Sequence, residues 1–208
     1  MKNKIPDFAY HMTKFFTEYL PIQRNLSPNS IATYRDTFRL LLLFYDTEKH
    51  IKPNLLTLDM LDVQGIEDFM LWLKKERNCG ASTCNQRLGA LKSFFRYLQF
   101  ALPDRALQCQ ENLAIRPMKQ SEPGLKYLTI DGIKLLLEQP DIKTKYGRRD
   151  LAILSLMYDT GARVQEIADI KIVHIRFSAP ATIRITGKGD KTRVVPLLSR
   201  TEDILKQY

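Results

Sequence analysis

A chain of 208 residues with 44% apolar side chains has material for one large domain or two small ones with real cores. Lysine and arginine outnumber aspartate and glutamate by 32 to 23, a formal charge of +9 shared by both halves, which fits a polyanionic partner as well as ordinary solubilising charge. No apolar run approaches the ~18 residues of a membrane span, the amino terminus lacks the apolar core of a secretory signal, and Cys79, Cys84 and Cys109 have no zinc-like pairing with histidines, so a cytoplasmic protein with reduced thiols, no metal and no membrane contact is expected.

In chain order, Phe8, Met12, Phe15, Phe16 and Tyr19 fall at helical spacing, and Pro21 closes that pattern. Ser27 is the expected cap of a second helix with Pro28 in its first turn, and Ile31, Tyr34, Phe38, Leu41, Leu42 and Tyr45 form its buried stripe. A third helix is expected over 63–77, capped by Asp62, with Ile66, Phe69, Met70 and Leu73 facing inward. A fourth starts near Ser82 and runs through NQRLGALKSFFRYLQF. Four helices with short joints and no strand pattern describe a small bundle.

Over 104–126 the periodicity fades, and Pro117, Pro123 and Gly124 punctuate the stretch. The expected division is a helical domain at 1–110, a linker at 111–126 and a second domain at 127–208, with proteases cutting first within 104–126. Beyond it, LTIDGIKLLLEQ reads as a helix capped at Thr129, RRDLAILSLMYDT as a more buried helix ended by Gly161, and GARVQEIADI as a third. ATIRITGKGDKTRVVPLL alternates in short β-favouring runs around a glycine-containing turn, which predicts a hairpin, and 172–177 supplies one more short strand. The fold class expected is mainly α with a small β-hairpin or sheet.

Two places in this second half carry chemistry. Arg163 stands at the mouth of a helix amino terminus, where the backbone dipole already favours an anion. A cation there makes sense if it serves a phosphate, because the free N–H groups of a helix start form a ready cradle. The hairpin tip TGKGDKTR places Lys188 between two glycines, with Lys191 and Arg193 nearby. It is not a nucleotide-binding loop, since a strand follows where that motif needs a helix. Viewed alone, it also fits a solvated turn.

Taken together, TGARVQEIADI and, 25 residues after its arginine, Lys188 in GKGDKTRVVPL resemble the tyrosine recombinases, the lambda-integrase and Xer-like family. RRDLAILSLMYDTGARVQEI is similar to the family's entry into its first arginine box, and LSPNSIATYRDTFRLLLLFY and STCNQRLGALKSFFRYL to its helical core-binding domain. The resemblance implies a SAM-like DNA-binding domain followed by the first part of a catalytic domain. It implies site-specific recombination of double-stranded DNA through a phosphotyrosyl intermediate, self-association on DNA as a tetramer, and no cofactor or metal. It makes Arg163 the first catalytic arginine, Glu166 its supporting carboxylate and Lys188 the hairpin lysine. The candidate DNA contacts are Arg87, Lys92 and Arg96 on the fourth helix, with Lys191 and Arg193 on the hairpin.

The family's second arginine in a His-x-x-Arg box, its further histidine or tryptophan and its tyrosine nucleophile have no match in these 208 residues. None of His11, His50 and His174 is followed at three residues by arginine, and Tyr208 follows the hairpin too closely to be the nucleophile. The expectation is an incomplete, inactive recombinase or transposon integrase that retains DNA binding. The alternatives are a non-catalytic regulator or decoy that occupies recombination sites, and a helical interaction module. Apolar surface around Ile167, Ile170 and Leu197 is expected to be exposed and to drive self-association.

Overall fold

The computed structural model describes residues 7–120, 124, 127–187 and 189–208, and these form two compact units, Met1–Pro123 and Gly124–Tyr208. In the first unit, helix α1 (Asp7–Lys14) runs on into a π-helical segment, Phe15–Gln23. It is followed by α2 (Pro28–Thr47), α3 (Val63–Lys75), α4 (Ala81–Ala101) and α5 (Ala106–Ala114). Two starts follow the sequence closely. The Ser27 hydroxyl accepts from the Ser30 amide with Pro28 in the first turn of α2, and the Asp62 carboxylate accepts from the Gly65 amide at 2.7 Å.

Phe8, Phe15, Phe38 and Phe94 fill the centre of this unit, with ring centroids 5.2–6.4 Å apart, several in edge-to-face contact. The expected stripe of α2 is present, and Leu40 and Phe44 are buried with it. Trp72, the single tryptophan of the sequence, sits nearly buried in this core, 5.7 Å from the Phe44 ring and 6.1 Å from Phe69, with the Arg77 guanidinium 6.0 Å from its ring.

Two expectations for this half are corrected. Pro21 does not end the first helix: it lies within the π-helical segment, where the Arg24 amide donates to the Tyr19 carbonyl five residues back. The wider turn relieves the clash a proline ring makes with the carbonyl four residues earlier. The second correction concerns 104–118, which is not a linker. Gln108 and Asn112 on α5 donate to the Leu58 and Leu61 carbonyls at 2.7 and 2.9 Å, Arg105 pairs with Asp7 and Asp59, and Cys109 and Ile115 are buried. Asn85 then brackets Met118, its amide donating to the Met118 carbonyl and its carbonyl accepting from the Met118 amide, both at 2.8 Å. Limited proteolysis should therefore spare 104–118; an early cut mapped there by mass spectrometry would contradict this packing.

The second unit contains α6 (Ile130–Glu138), α7 (Lys145–Thr160), α8 (Val164–Ala168), an antiparallel sheet in the order β1 (Ile175–Arg176), β2 (Thr182–Thr186), β3 (Thr192–Pro196), and α9 (Ser199–Gln207). Thr129 caps α6 through the Gly132 amide, as the sequence suggests, and the hairpin is where alternation places it; of the strand expected over 172–177 only Ile175–Arg176 pairs, because Ile172–His174 forms a 3-10 turn. Helix α9 was not expected; the Asp159 carboxylate accepts the Leu198 amide at its start. The core is Leu156, Ala162, Ile167, Ile183 and Ile185. Ile167 is buried and Ile170 and Leu197 pack against this cluster, so the three are not the exposed patch expected of them. Val164, Ile172 and Val173 are exposed instead.

Candidate functional site

Gly161 ends α7 in the left-handed conformation, at φ 60°, which a residue with a Cβ adopts only under strain. The chain reverses there, Ala162 is buried as an anchor, and Arg163 becomes the residue before the first turn of α8. Glu166, in that first turn, reaches back so that its Oε2 accepts the Arg163 backbone amide at 3.0 Å. This satisfies one of the free donors of a helix start and places negative charge where the dipole favours it. The Arg163 side chain donates from Nη1 to Glu166 Oε1 at 3.0 Å and stays 77% exposed.

The hairpin meets the same carboxylate. Arg193 on β3 donates from Nη2 to Oε2 at 2.8 Å and from Nη1 to Oε1 at 3.4 Å. A Cβ at Gly187, just after β2, would stand 2.5 Å from Oε1, so a larger residue there would displace the Glu166 carboxylate. Glu166 is nearly buried, and its carboxyl is lowered to about 2, first by Arg193, then by the Arg163 backbone amide, with burial opposing both. Lys188 lies outside the described residues; its neighbour Gly187 touches Glu166.

The site thus brings together Arg163, Glu166 and the base of the hairpin. A sequence signal for its further member, Arg193, was readable. Arg193 alternates with Val195 and stands opposite Ile185, on the face that buries Ile183 and Ile185. An arginine at an inward position needs an answering carboxylate. Its guanidinium, assigned to DNA from the sequence, is engaged with Glu166. Lys191 is exposed at the turn.

On α4 the three candidates differ. Arg96 is exposed. Arg87 is half-buried, and its Nε and Nη1 are buried with no partner among the described residues. Lys92 is different: its ammonium donates to the Ile115 carbonyl at 2.6 Å, and burial, followed by the nearby Arg96, lowers its pKa. It therefore fastens the segment after α5, a role the sequence assignment to DNA did not include. Lys92→Met is expected to lower the stability of the first unit by about 1.5–3 kcal/mol while leaving the salt dependence of duplex binding unchanged. Titrations at stepped salt check this, since a lysine on a phosphate would take ~0.9 from the slope when removed.

Residues 14–100 match the model for the phage integrase N-terminal SAM-like domain, and residues 126–208 match that of the phage integrase family. A protein of Sinorhizobium fredii named as an integrase/recombinase, y4rC, is 35% identical over 197 residues, covering 95% of this chain and 59% of that protein. The tyrosine recombinase XerD of Listeria monocytogenes is 32% identical over 196 residues, covering 93% of this chain and 62% of XerD. The chain thus spans less than two thirds of either relative. A crystal structure of a lambda integrase dimer bound to a core site shares the fold, with a TM-score of 0.67 at 16% identity over 96% of this chain and 67% of that one.

Proposed function

The chain belongs to the phage integrase family, the tyrosine recombinases, and from that premise we propose that its 208 residues bind duplex DNA and hold the first half of a strand-exchange active site against a phosphate. The observation that carries this reading is the exposed Arg163 guanidinium, fixed at a helix start by a buried carboxylate that two cations share. Attack on a phosphodiester concentrates charge on the nonbridging oxygens, which a planar guanidinium binds two at a time. Phosphoryl transfer is mostly positioning and electrostatics, so pre-placed cations are its main tools. Lys188, by family resemblance, supplies the proton to the departing 5′ oxygen. The exposed Arg96 and Lys191, with the half-buried Arg87 beside Arg96 on α4, serve the DNA backbone.

Within these 208 residues no group takes the roles of the second arginine or the nucleophilic tyrosine. Arg163 and Lys188 stabilise charge and move a proton; neither attacks phosphorus. The chain alone should therefore bind a recombination site without cutting it, which also equips it to act as a regulator or decoy on that site. The reading proposed extends to a cytoplasmic setting, with further copies joining on the duplex.

A nicked duplex carrying the cognate site, incubated with the chain and run on a denaturing gel, tests both parts. Duplex binding without a covalent adduct is expected. A covalent adduct that vanishes in Tyr208→Phe would overturn the inactivity, and failure to bind any duplex would overturn the DNA reading.

A further inference from the structure

We propose that Arg193 is a positioning residue, which holds the Glu166 carboxylate from the hairpin side so that Arg163 keeps both its place and its free charge. This rests on the reading of Arg163 as a phosphate ligand.

Three observations carry it. The first is strand geometry. Arg193 pairs across the sheet with Ile185, on the inward face, whereas its neighbours Thr192 and Val194 point outward and are exposed. The side chain is therefore aimed at the unit's interior and at Glu166. The second is saturation. Each Glu166 oxygen receives one contact from Arg193 and one from Arg163, at 2.8 and 3.0 Å on Oε2 and at 3.4 and 3.0 Å on Oε1. A carboxylate offers about four such acceptor directions, so its orientation is fully determined. The third is charge. One nearly buried carboxylate lies between two guanidiniums, of which Arg193 is 40% and Arg163 77% exposed on its side chain. Arg193 offsets the Glu166 charge from the less exposed side. Without it, that charge would fall on Arg163 alone and weaken its attraction for an anion. The contact also spans 27 residues of sequence, coupling α8 to the strand that leaves the hairpin tip. Gly187 makes the same junction from the other strand, where a Cβ would meet Oε1.

The role differs from a direct DNA contact in what it predicts. A positioning arginine matters only while Arg163 is present; a phosphate ligand matters regardless.

The test uses the 208-residue chain with ¹³C-labelled glutamate and ¹⁵N-labelled arginine. In Arg193→Ala, the Glu166 carboxyl should titrate well above about 2, and the Arg163 Nε–H signal should shift or broaden without DNA. Arg193→Lys, which keeps a charge beside Glu166 and so protects folding, should show the same changes to a smaller degree, because an ammonium lacks the two-pronged fork. Duplex affinity is then measured in a double-mutant cycle. Arg193→Ala should cost roughly tenfold in the wild-type background, on the scale of a charge-assisted bond, and almost nothing on top of Arg163→Ala. An Arg163 signal unchanged in both Arg193 variants would overturn the proposal. So would an equal loss of affinity in both backgrounds, which marks a direct phosphate contact. If the signals respond but Arg163→Ala binds DNA like the parent, the positioning role stands and the phosphate reading falls.

Discussion

Replacing Phe94 with alanine is expected to lower the stability of the first unit by about 3–5 kcal/mol, the cost of removing a buried aromatic and leaving a cavity. Phe94 is fully buried, and its ring lies 5.2 Å from both Phe15 and Phe38 and 5.9 Å from Phe8. It is the point where α1, α2 and α4 meet. Since domains of this size are stable by only about 5–15 kcal/mol, the variant should stand near the edge of folding. The comparison that makes the result specific is Phe100→Ala on the same helix. Phe100 is 83% exposed, so its loss should stay within about 0.5 kcal/mol. Urea denaturation followed by circular dichroism checks both, and equal costs would mean that the aromatic cluster does not hold the unit together.

Acid should destabilise the second unit through one carboxyl. Glu166 is lowered from an ordinary value of 4.5 to about 2 in the folded state, with the Arg193 bond the leading cause. The native state therefore takes up this proton less readily than the unfolded chain. Its stabilising contribution is complete above about pH 4.5 and is lost as the pH falls through about 2. Thermal unfolding followed at the Ile183 and Ile185 methyl signals should show midpoints falling across that window. Glu166→Gln should start lower at neutral pH and lose much of the acid slope. An identical slope in the two proteins would assign the acid sensitivity to other carboxylates.

These expectations draw on features of unequal visibility in the sequence. Helix starts were legible because a cap acts within three residues: Ser27, Asp62 and Thr129 each bond an amide in their own first turn. Gly161 was legible for the same local reason, and alternation sufficed for the hairpin. What was hidden depends on distant partners. Helix α5 carries Gln108 and Asn112 where a buried stripe would be apolar, and it is held by carbonyls of the loop before α3. Lys92 reads as a surface cation until the Ile115 carbonyl stands before it. At the site, Arg163 and Glu166 are close in sequence and were found together. Arg193 was found, but its bond to Glu166 was not, because that carboxylate is 27 residues away. Pro21 misled for another reason: its usual meaning assumes an α-helical turn, and this turn is wider.

The placement of Trp72 gives the molecule a built-in optical division. As the only indole in the sequence, buried beside Phe44 and Phe69 in the first unit, it makes emission excited at the red edge of the absorption band a private signal of that unit. The tyrosines, present in both units, report on the whole. Two melting curves recorded on one sample thus compare the first unit, seen through Trp72, with the chain as a whole, and a transition present in the tyrosine signal but not in the indole signal reports the second unit.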